Sequence, residues 1–278
     1  MEPDKQLDAI RERIDAIDSR LLELISERAR CAQEVAEVKL AASQSSDTPP
    51  TFYRPEREAQ VLRAIQERNP GPLASDYVAS IFREIMSSCL ALEKPLSVAY
   101  LGPEGTYSQA AALKHFGQSA IPAGQSSIHK VFRQVESREC DYGVVPVENS
   151  TEGMVGQTLD SFLETPLQIT GEIELPVVHH LLCVAGTQVD SVKLVLGHEQ
   201  ALAQCRQWLD SHLPDVPRET VASNGAAALR AAEETGVAAI AGDLAAQLHQ
   251  LTPLANAIQD SSSNTTRFLV LGRESVPP

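Results

Sequence analysis

The chain has 278 residues, enough for one large domain or two ordinary ones with buried cores, and a net charge of −14, which argues against nucleic acid or an anionic membrane as partner. Five scattered cysteines without a CxxC pair argue against a disulfide framework and a zinc site and suit a reducing cytoplasm. No signal peptide is expected from the charged N-terminus, and no run approaches the roughly 18 apolar residues of a membrane span.

The acidity is uneven: residues 1–95 hold 13 Lys+Arg against 17 Asp+Glu, and residues 96–278 hold 10 against 20. A small anionic ligand would therefore need dedicated cations in an unfavourable field. Leu7, Ile10, Ile14, Ile17, Leu21, Leu24, Cys31, Val35 and Val38 recur at helical spacing and predict one amphipathic helix from about residue 5 to 41. At 1.5 Å per residue it is about 55 Å long, and a stripe of that length needs partners, so an oligomer is expected. Residues 42–51 read as a polar, Pro-containing loop. Pro55 opens a second helix to about Arg68, Asn69-Pro70-Gly71-Pro72 breaks it, and Ser75 is expected to cap a third helix to about Leu92. Three helices without a strand make an all-α unit, closed by Lys94-Pro95.

From Ser97 the period changes. Strands are predicted at Val98–Leu101, Tyr142–Val147, His179–Val184, Lys193–Leu196 and Phe268–Leu271, with helices at Tyr107–Phe116, Ile128–Ser137, Gln200–Leu213 and Gly225–Thr235. Their alternation predicts an α/β unit with a largely parallel sheet.

Two sets of residues stand out. On the long helix, Arg28 occupies the apolar stripe where Leu would be expected. Lys39 follows 11 residues on, within about 20° of the same face and about 16 Å along the axis, so both can lean onto one anion. Arg11 is about 25 Å from Arg28 and near 100° off its face, so one helix cannot bring both to a small ligand, though an antiparallel partner helix could deliver Arg11. Arg57-Glu58 adds a cation and a carboxylate. By spacing alone these read equally well as solvated surface charges. The second set is three polar strings where hydrophobic runs end: Gly102-Pro103-Glu104-Gly105-Thr106-Tyr107-Ser108, Glu148-Asn149-Ser150-Thr151-Glu152-Gly153 and Ser263-Asn264-Thr265-Thr266-Arg267-Phe268. Ligands bind at such strand ends in open α/β sheets. Taken singly, the first is a turn and the second a capped loop. His179-His180, in an apolar run, reads as structural.

Residues 5–93 resemble the all-helical, intertwined-dimer class of chorismate mutases. The resemblance rests on Ile10-Arg11-Glu12-Arg13-Ile14-Asp15, Asp18-Ser19-Arg20-Leu21-Leu22-Glu23-Leu24, Glu27-Arg28, Val38-Lys39 and Tyr53-Arg54-Pro55-Glu56-Arg57-Glu58. It implies that Arg28, Lys39, Arg57 and the partner subunit's Arg11 bind chorismate's carboxylates, and that Glu58 bonds the substrate hydroxyl. The rearrangement is intramolecular, so the protein holds a compact conformer and stabilises charge on the breaking ether oxygen. Where some members carry Gln facing that oxygen, this chain has Glu93, with Cys89 one turn earlier. A carboxylate donates only when protonated, so mutase activity is expected to fall as pH rises. Arg54 stands where some members carry Asp.

Residues 97–273 resemble prephenate dehydratase, through the first polar string, Tyr142-Gly143-Val144-Val145-Pro146-Val147-Glu148-Asn149-Ser150, Gly197-His198-Glu199-Gln200-Ala201-Leu202-Ala203-Gln204-Cys205 and Thr265-Thr266-Arg267-Phe268. Together the two matches resemble the bifunctional P-protein family of phenylalanine biosynthesis. The implied architecture is a three-helix mutase domain, residues 1–95, forming an intertwined homodimer through its helices. A two-lobed α/β dehydratase domain follows over 96–278, similar to a periplasmic binding protein. Lobe one is expected at about 96–173 plus 256–273 and lobe two at about 174–255. Chorismate and prephenate are the implied substrates, with no cofactor, no metal and no nucleic-acid or membrane partner. Thr266 is implied closest to the leaving hydroxyl, and Arg267 is expected to anchor a carboxylate, aided by backbone N–H groups of Gly102–Thr106 and Ser126-Ser127, at helix starts. Glu148 is the alternative proton source, and Asn149, Ser150, Gln204 and Thr265 are orienting contacts. The family often reads Ser-His-Pro-Gln where this chain has Gly197-His198-Glu199-Gln200. Prephenate against arogenate stays open. Such proteins usually continue into a regulatory ACT domain; the sequence stops at Pro277-Pro278, so strong phenylalanine inhibition is not expected.

Overall fold

The N-terminal apolar repeat, free of Gly and Pro from Asp4 to Ser43, forms one 41-residue helix, α1 (Pro3–Ser43), about 60 Å long. The computed structural model describes residues 3–43 and 52–275; the polar loop expected at 42–51 lies, from residue 44 on, outside them, as does Pro277-Pro278. Helix α2 (Pro55–Arg68) starts with proline in its first turn, where the missing N–H costs nothing, and turns extended at Asn69 before Pro70. Helix α3 (Ser75–Glu93) has Ala74, not Ser75, at its N-cap position and no side-chain cap; the Ser75 hydroxyl instead donates to the Gln66 carbonyl of α2 at 3.4 Å. Helix α3 packs on both α1 and α2. These helices, with Gly117–Ala120, form one compact unit, and Leu96–Phe116 with the residues from Ile121 onward form a second.

The second unit contains β1 (Ser97–Leu101), α4 (Tyr107–Phe116), β2 (Ile121–Gln125), α5 (Ile128–Glu136), β3 (Tyr142–Asn149), β4 (Gly153–Met154), α6 (Gly156–Phe162) and β5 (Gln168–Pro176). It continues with β6 (His180–Cys183), a 3₁₀ turn at Val189–Ser191, β7 (Leu194–Gly197), α7 (Glu199–Gln204), α8 (Arg206–His212) and β8 (Arg218–Thr220). The last elements are α9 (Asn224–Glu233), β9 (Val237–Ala241), α10 (Asp243–Leu248), β10 (Thr252–Ala255) and β11 (Thr265–Gly272). The strands form two sheets, ordered β2-β1-β3-β11-β5 (with β4 on β3) and β10-β6-β9-β7-β8. The expected largely parallel sheet is corrected. Each sheet has a parallel trio, β2-β1-β3 and β9-β7-β8, extended by antiparallel strands. Strand β11 returns from the far end of the chain to lie antiparallel between β3 and β5, a pairing no local pattern announces.

The second sheet is covered on both faces, and successive strand residues divide between them. Leu181, Val195 and Ile240 pack with Ala201, Cys205 and Leu209, while Leu182, Leu196 and Ala239 pack with Ala227, Ala228 and Ala245. The predicted helix Gln200–Leu213 is broken at Cys205 (φ −112°, ψ 14°) into α7 and α8. The break has a tertiary cause: the Asp260 carboxylate accepts from the backbone N–H groups of Gln207 and Trp208, and Asp260 N–H donates to Gln204 O at 2.7 Å. Gly225, in the first turn of α9, lies so close to the 102–106 loop that a Cβ there would fall 2.0 Å from the Glu104 carbonyl oxygen. No helix among the described residues is long and apolar enough to cross a membrane.

Candidate active sites

In the helical unit, one face of α1 and one of α3 enclose a cleft of about 270 Å³. Arg28, Cys31 and Val35 line it from α1, and Met86, Cys89 and Glu93 from α3. Glu93 Oε2 is buried without a hydrogen bond; Lys39 Nζ is 3.6 Å away, an ion pair too long to be a hydrogen bond. Lys39 also donates to Phe52 O at 3.1 Å and lies 5.5 Å from that ring's centre. The structure thus brings together Arg28, Cys89 and Glu93, with Lys39 beside them.

Arg11 stays apart, exposed near the start of α1 and paired with Asp8 at 3.1 Å. Glu58 lies 3.7 Å from Arg83, a partner that sequence reasoning missed. Burial raises the Glu58 carboxyl above the usual carboxylate range, against the pull of Arg83 and a hydrogen bond with Tyr53. Arg57 is exposed one residue before it. Arg54, where some relatives carry Asp, is the α2 N-cap residue and caps nothing with its side chain.

In the α/β unit, β11 and β3 pair Thr266 with Asn149 and Arg267 with Glu148. Asn149 Nδ2 donates to Thr266 Oγ1 at 2.8 Å and to Asn264 Oδ1 at 2.9 Å. Asn264 Nδ2 donates to Gln204 Oε1 at 3.0 Å, and that oxygen lies 2.9 Å from His179 Nε2. Ser150 and Thr265 lock the strand ends together: Ser150 N donates to Thr265 O, and Thr265 N to Ser150 Oγ at 3.0 Å. Gln204, Asn264, Thr151, Gln259 and Asp260 line a cleft of about 250 Å³.

Adjacent strand residues point to opposite faces, and this separates Thr266 from Arg267. The Arg267 guanidinium donates to Glu148 Oε2 and Glu172 Oε1, both at 2.7 Å, tying β11 to its two neighbours, and these carboxylates raise its pKa further. The expected anion anchor is therefore a cross-strand clamp away from the Thr266 network. Glu148, expected as the alternative proton source, is the clamp's other half. Of the expected backbone donors, two are engaged within the protein: Gly102 N–H donates to Gln125 O and Gly105 N–H to Gln109 Oε1. The Thr106 hydroxyl turns back onto Leu101 O and Pro103 O, and Ser126 is exposed just before the α5 cap Ser127.

Two members of the network were not among the sequence candidates. Asn264 lies inside the string that stood out, but nothing local distinguishes it from its hydroxyl neighbours; it is 4% exposed. His179 was read as structural, yet its ring joins Gln204 to the Tyr107 hydroxyl, 3.1 Å from Nδ1. The departure at Gly197 has a packing basis: a Cβ there would meet Leu202 at 3.2 Å and Ile240 at 3.4 Å. His198 keeps a helix-end role, its Nδ1 accepting from Gln200 N at 3.4 Å.

Comparison with known proteins assigns the two parts of the sequence to two families. Residues 98–276 match the prephenate dehydratase family and residues 10–94 match chorismate mutase type II. A bifunctional chorismate mutase/prephenate dehydratase from Stutzerimonas stutzeri is 58% identical over 273 residues, covering 98% of this chain and 74% of the relative. One from Pseudomonas aeruginosa is 57% identical with the same coverage. Among solved structures, a prephenate dehydratase from Arthrobacter aurescens in complex with L-Phe is similar with a TM-score of 0.62 and 31% identity, over 66% of this chain and 62% of that one. The chain belongs to the family of bifunctional chorismate mutase/prephenate dehydratases.

Proposed function

We propose that the protein rearranges chorismate to prephenate in its helical unit, then dehydrates and decarboxylates prephenate to phenylpyruvate in its α/β unit. The observation that carries this reading is the coincidence of both family matches with two separate groups of converging side chains.

In the mutase step nothing acts as nucleophile. Arg28 and Lys39 hold carboxylates, with Arg57 and Glu58 contributing from α2, and Glu93 with Cys89 forms the opposite wall. A second copy completes this site by presenting Arg11. The apolar stripe supports that homodimer: Leu7, Ile10, Ile14, Ile17 and Leu21 are each about half exposed in the single chain.

In the dehydratase step the ring carboxylate leaves as carbon dioxide, its bonding pair enters the ring, and the C4–O bond breaks. The departing hydroxide takes a proton from solvent and leaves as water. Thr266, already accepting from Asn149, donates a hydrogen bond to the leaving oxygen, and Gln204 orients the substrate from across the cleft. A cytoplasmic location suits the five free cysteines.

The test is incubation with chorismate at pH 7.5, following prephenate and phenylpyruvate together. Wild type makes phenylpyruvate, Arg28→Ala leaves chorismate unconverted, and Thr266→Ala lets prephenate accumulate. Untouched chorismate and untouched prephenate in wild type would defeat the proposal.

A further inference from the structure

The hydrogen-bond chain behind the dehydratase cleft has a direction that can be read atom by atom. Asn149 Oδ1 accepts the backbone N–H groups of Thr151 and Glu152, at 3.0 and 3.1 Å. A backbone nitrogen only donates, so this atom is the amide oxygen and Asn149 Nδ2 faces the other way. Nδ2 has no lone pair, so Asn264 Oδ1 and Thr266 Oγ1 both accept from it. Asn264 is thereby turned so that its own Nδ2 donates to Gln204 Oε1. That oxygen is also 2.9 Å from His179 Nε2, and two acceptors cannot share a hydrogen bond. His179 Nε2 therefore carries a proton. The ring is 2% exposed, and burial holds its pKa below the ordinary histidine value, the Gln204 hydrogen bond pulling the other way. At pH 7.5 it is neutral, with its Nδ1 lone pair 3.1 Å from the Tyr107 oxygen, whose hydroxyl proton is directed to Val178 O at 2.6 Å.

The consequence falls on Gln204, the last residue of α7. Its carbonyl oxygen is held by two donors inside the protein, which leaves its NH₂ group to face the cleft that Gln204 lines. One bond alone, from Asn264, would leave the amide free to swing about it; the second fixes its plane. We infer that His179 is a positioning residue for the dehydratase reaction: its Nε2–H pins the Gln204 carbonyl so that the Gln204 amide protons are presented to a substrate oxygen. His179 itself touches no substrate. This inference rests on the dehydratase reading above.

The test measures dehydratase kcat and KM on added prephenate for His179→Leu, His179→Gln, Gln204→Ala and the His179→Leu/Gln204→Ala double variant, with mutase activity read beside them. His179→Leu is expected to lower dehydratase kcat about tenfold while KM stays within about twofold and mutase activity is unchanged. His179→Gln, whose amide nitrogen can donate to the same oxygen, should recover most of the loss. The double variant should be no slower than Gln204→Ala alone. An unaffected His179→Leu, or losses that multiply in the double variant, would overturn the inference. Should His179→Leu fail to fold, nitrogen-15 NMR of the wild-type imidazole decides: protonated Nε2 supports the role, and a proton on Nδ1 alone overturns it. A wild type that leaves prephenate untouched defeats the dehydratase reading itself, a result separable from the tautomer.

Discussion

The two sites are held by different physics. In the helical unit the candidate groups are mostly charges strung along half-exposed helices: Arg28 and Glu93 across one cleft, Lys39 beside them, and Arg11 about 25 Å further along α1. In the α/β unit they are neutral, buried or half-buried, and bonded to one another in a series from the Thr151 and Glu152 backbone to His179. A charge on a long helix can wait in water for its ligand, so the first site tolerates being incomplete in one chain. A buried amide cannot wait: left unpaired it costs about 1–3 kcal/mol, so the second site must satisfy itself within the fold before substrate arrives. The difference predicts that the mutase depends on assembly and on placed charges, and the dehydratase on hydrogen-bond geometry.

The sharpest separation comes from Thr266→Ala, expected to lower dehydratase turnover by roughly 10²–10³-fold with mutase turnover unchanged, read as prephenate accumulating from chorismate. Arg28→Ala should mirror it, with mutase kcat/KM down about 10²-fold and dehydratase activity on added prephenate intact. Equal losses in both activities from either variant would break the comparison. Leu21→Asp places a charge in the exposed stripe and should shift the protein toward monomer by light scattering. Mutase activity at dilute protein should fall about tenfold, since Arg11 then no longer reaches a partner's site. A monomeric variant with full mutase activity would show the site complete in one chain. The smallest effect is at Glu93. A carboxylate facing Lys39 cannot donate to the substrate's ether oxygen, whereas an amide can, so Glu93→Gln should change mutase kcat several-fold, about 1 kcal/mol, with dehydratase activity unchanged. Equal mutase kcat in wild type and Glu93→Gln would remove Glu93 from the ether-oxygen contact.

Much of this molecule is legible in order along the chain. The long helix, the proline-started α2 and the helix Tyr107–Phe116 follow from apolar spacing and from Pro and Gly punctuation, which act locally. Strand β9, Val237-Ala-Ala-Ile-Ala, was not legible: its small residues have weak strand preference, and all five are buried only because helices cover both faces of the sheet. The break at Cys205 was hidden for a similar reason, since its capping carboxylate comes from Asp260.

Periodicity and turn chemistry act over a few residues, so they reveal the division between a helical and an α/β part, many of the elements, and the strings that supply most of both sites. Which members of those strings work together follows from how the chain packs. Thr266 and Arg267 are neighbours in sequence, yet the two-residue repeat of β11 sends one into the Asn149 network and the other onto Glu148 and Glu172. His179 and Gln204, 25 positions apart, meet because the fold brings the approach to β6 against the end of α7. Which face a residue takes, and what it meets there, depends on the pairing of distant segments, and no local pattern carries that information.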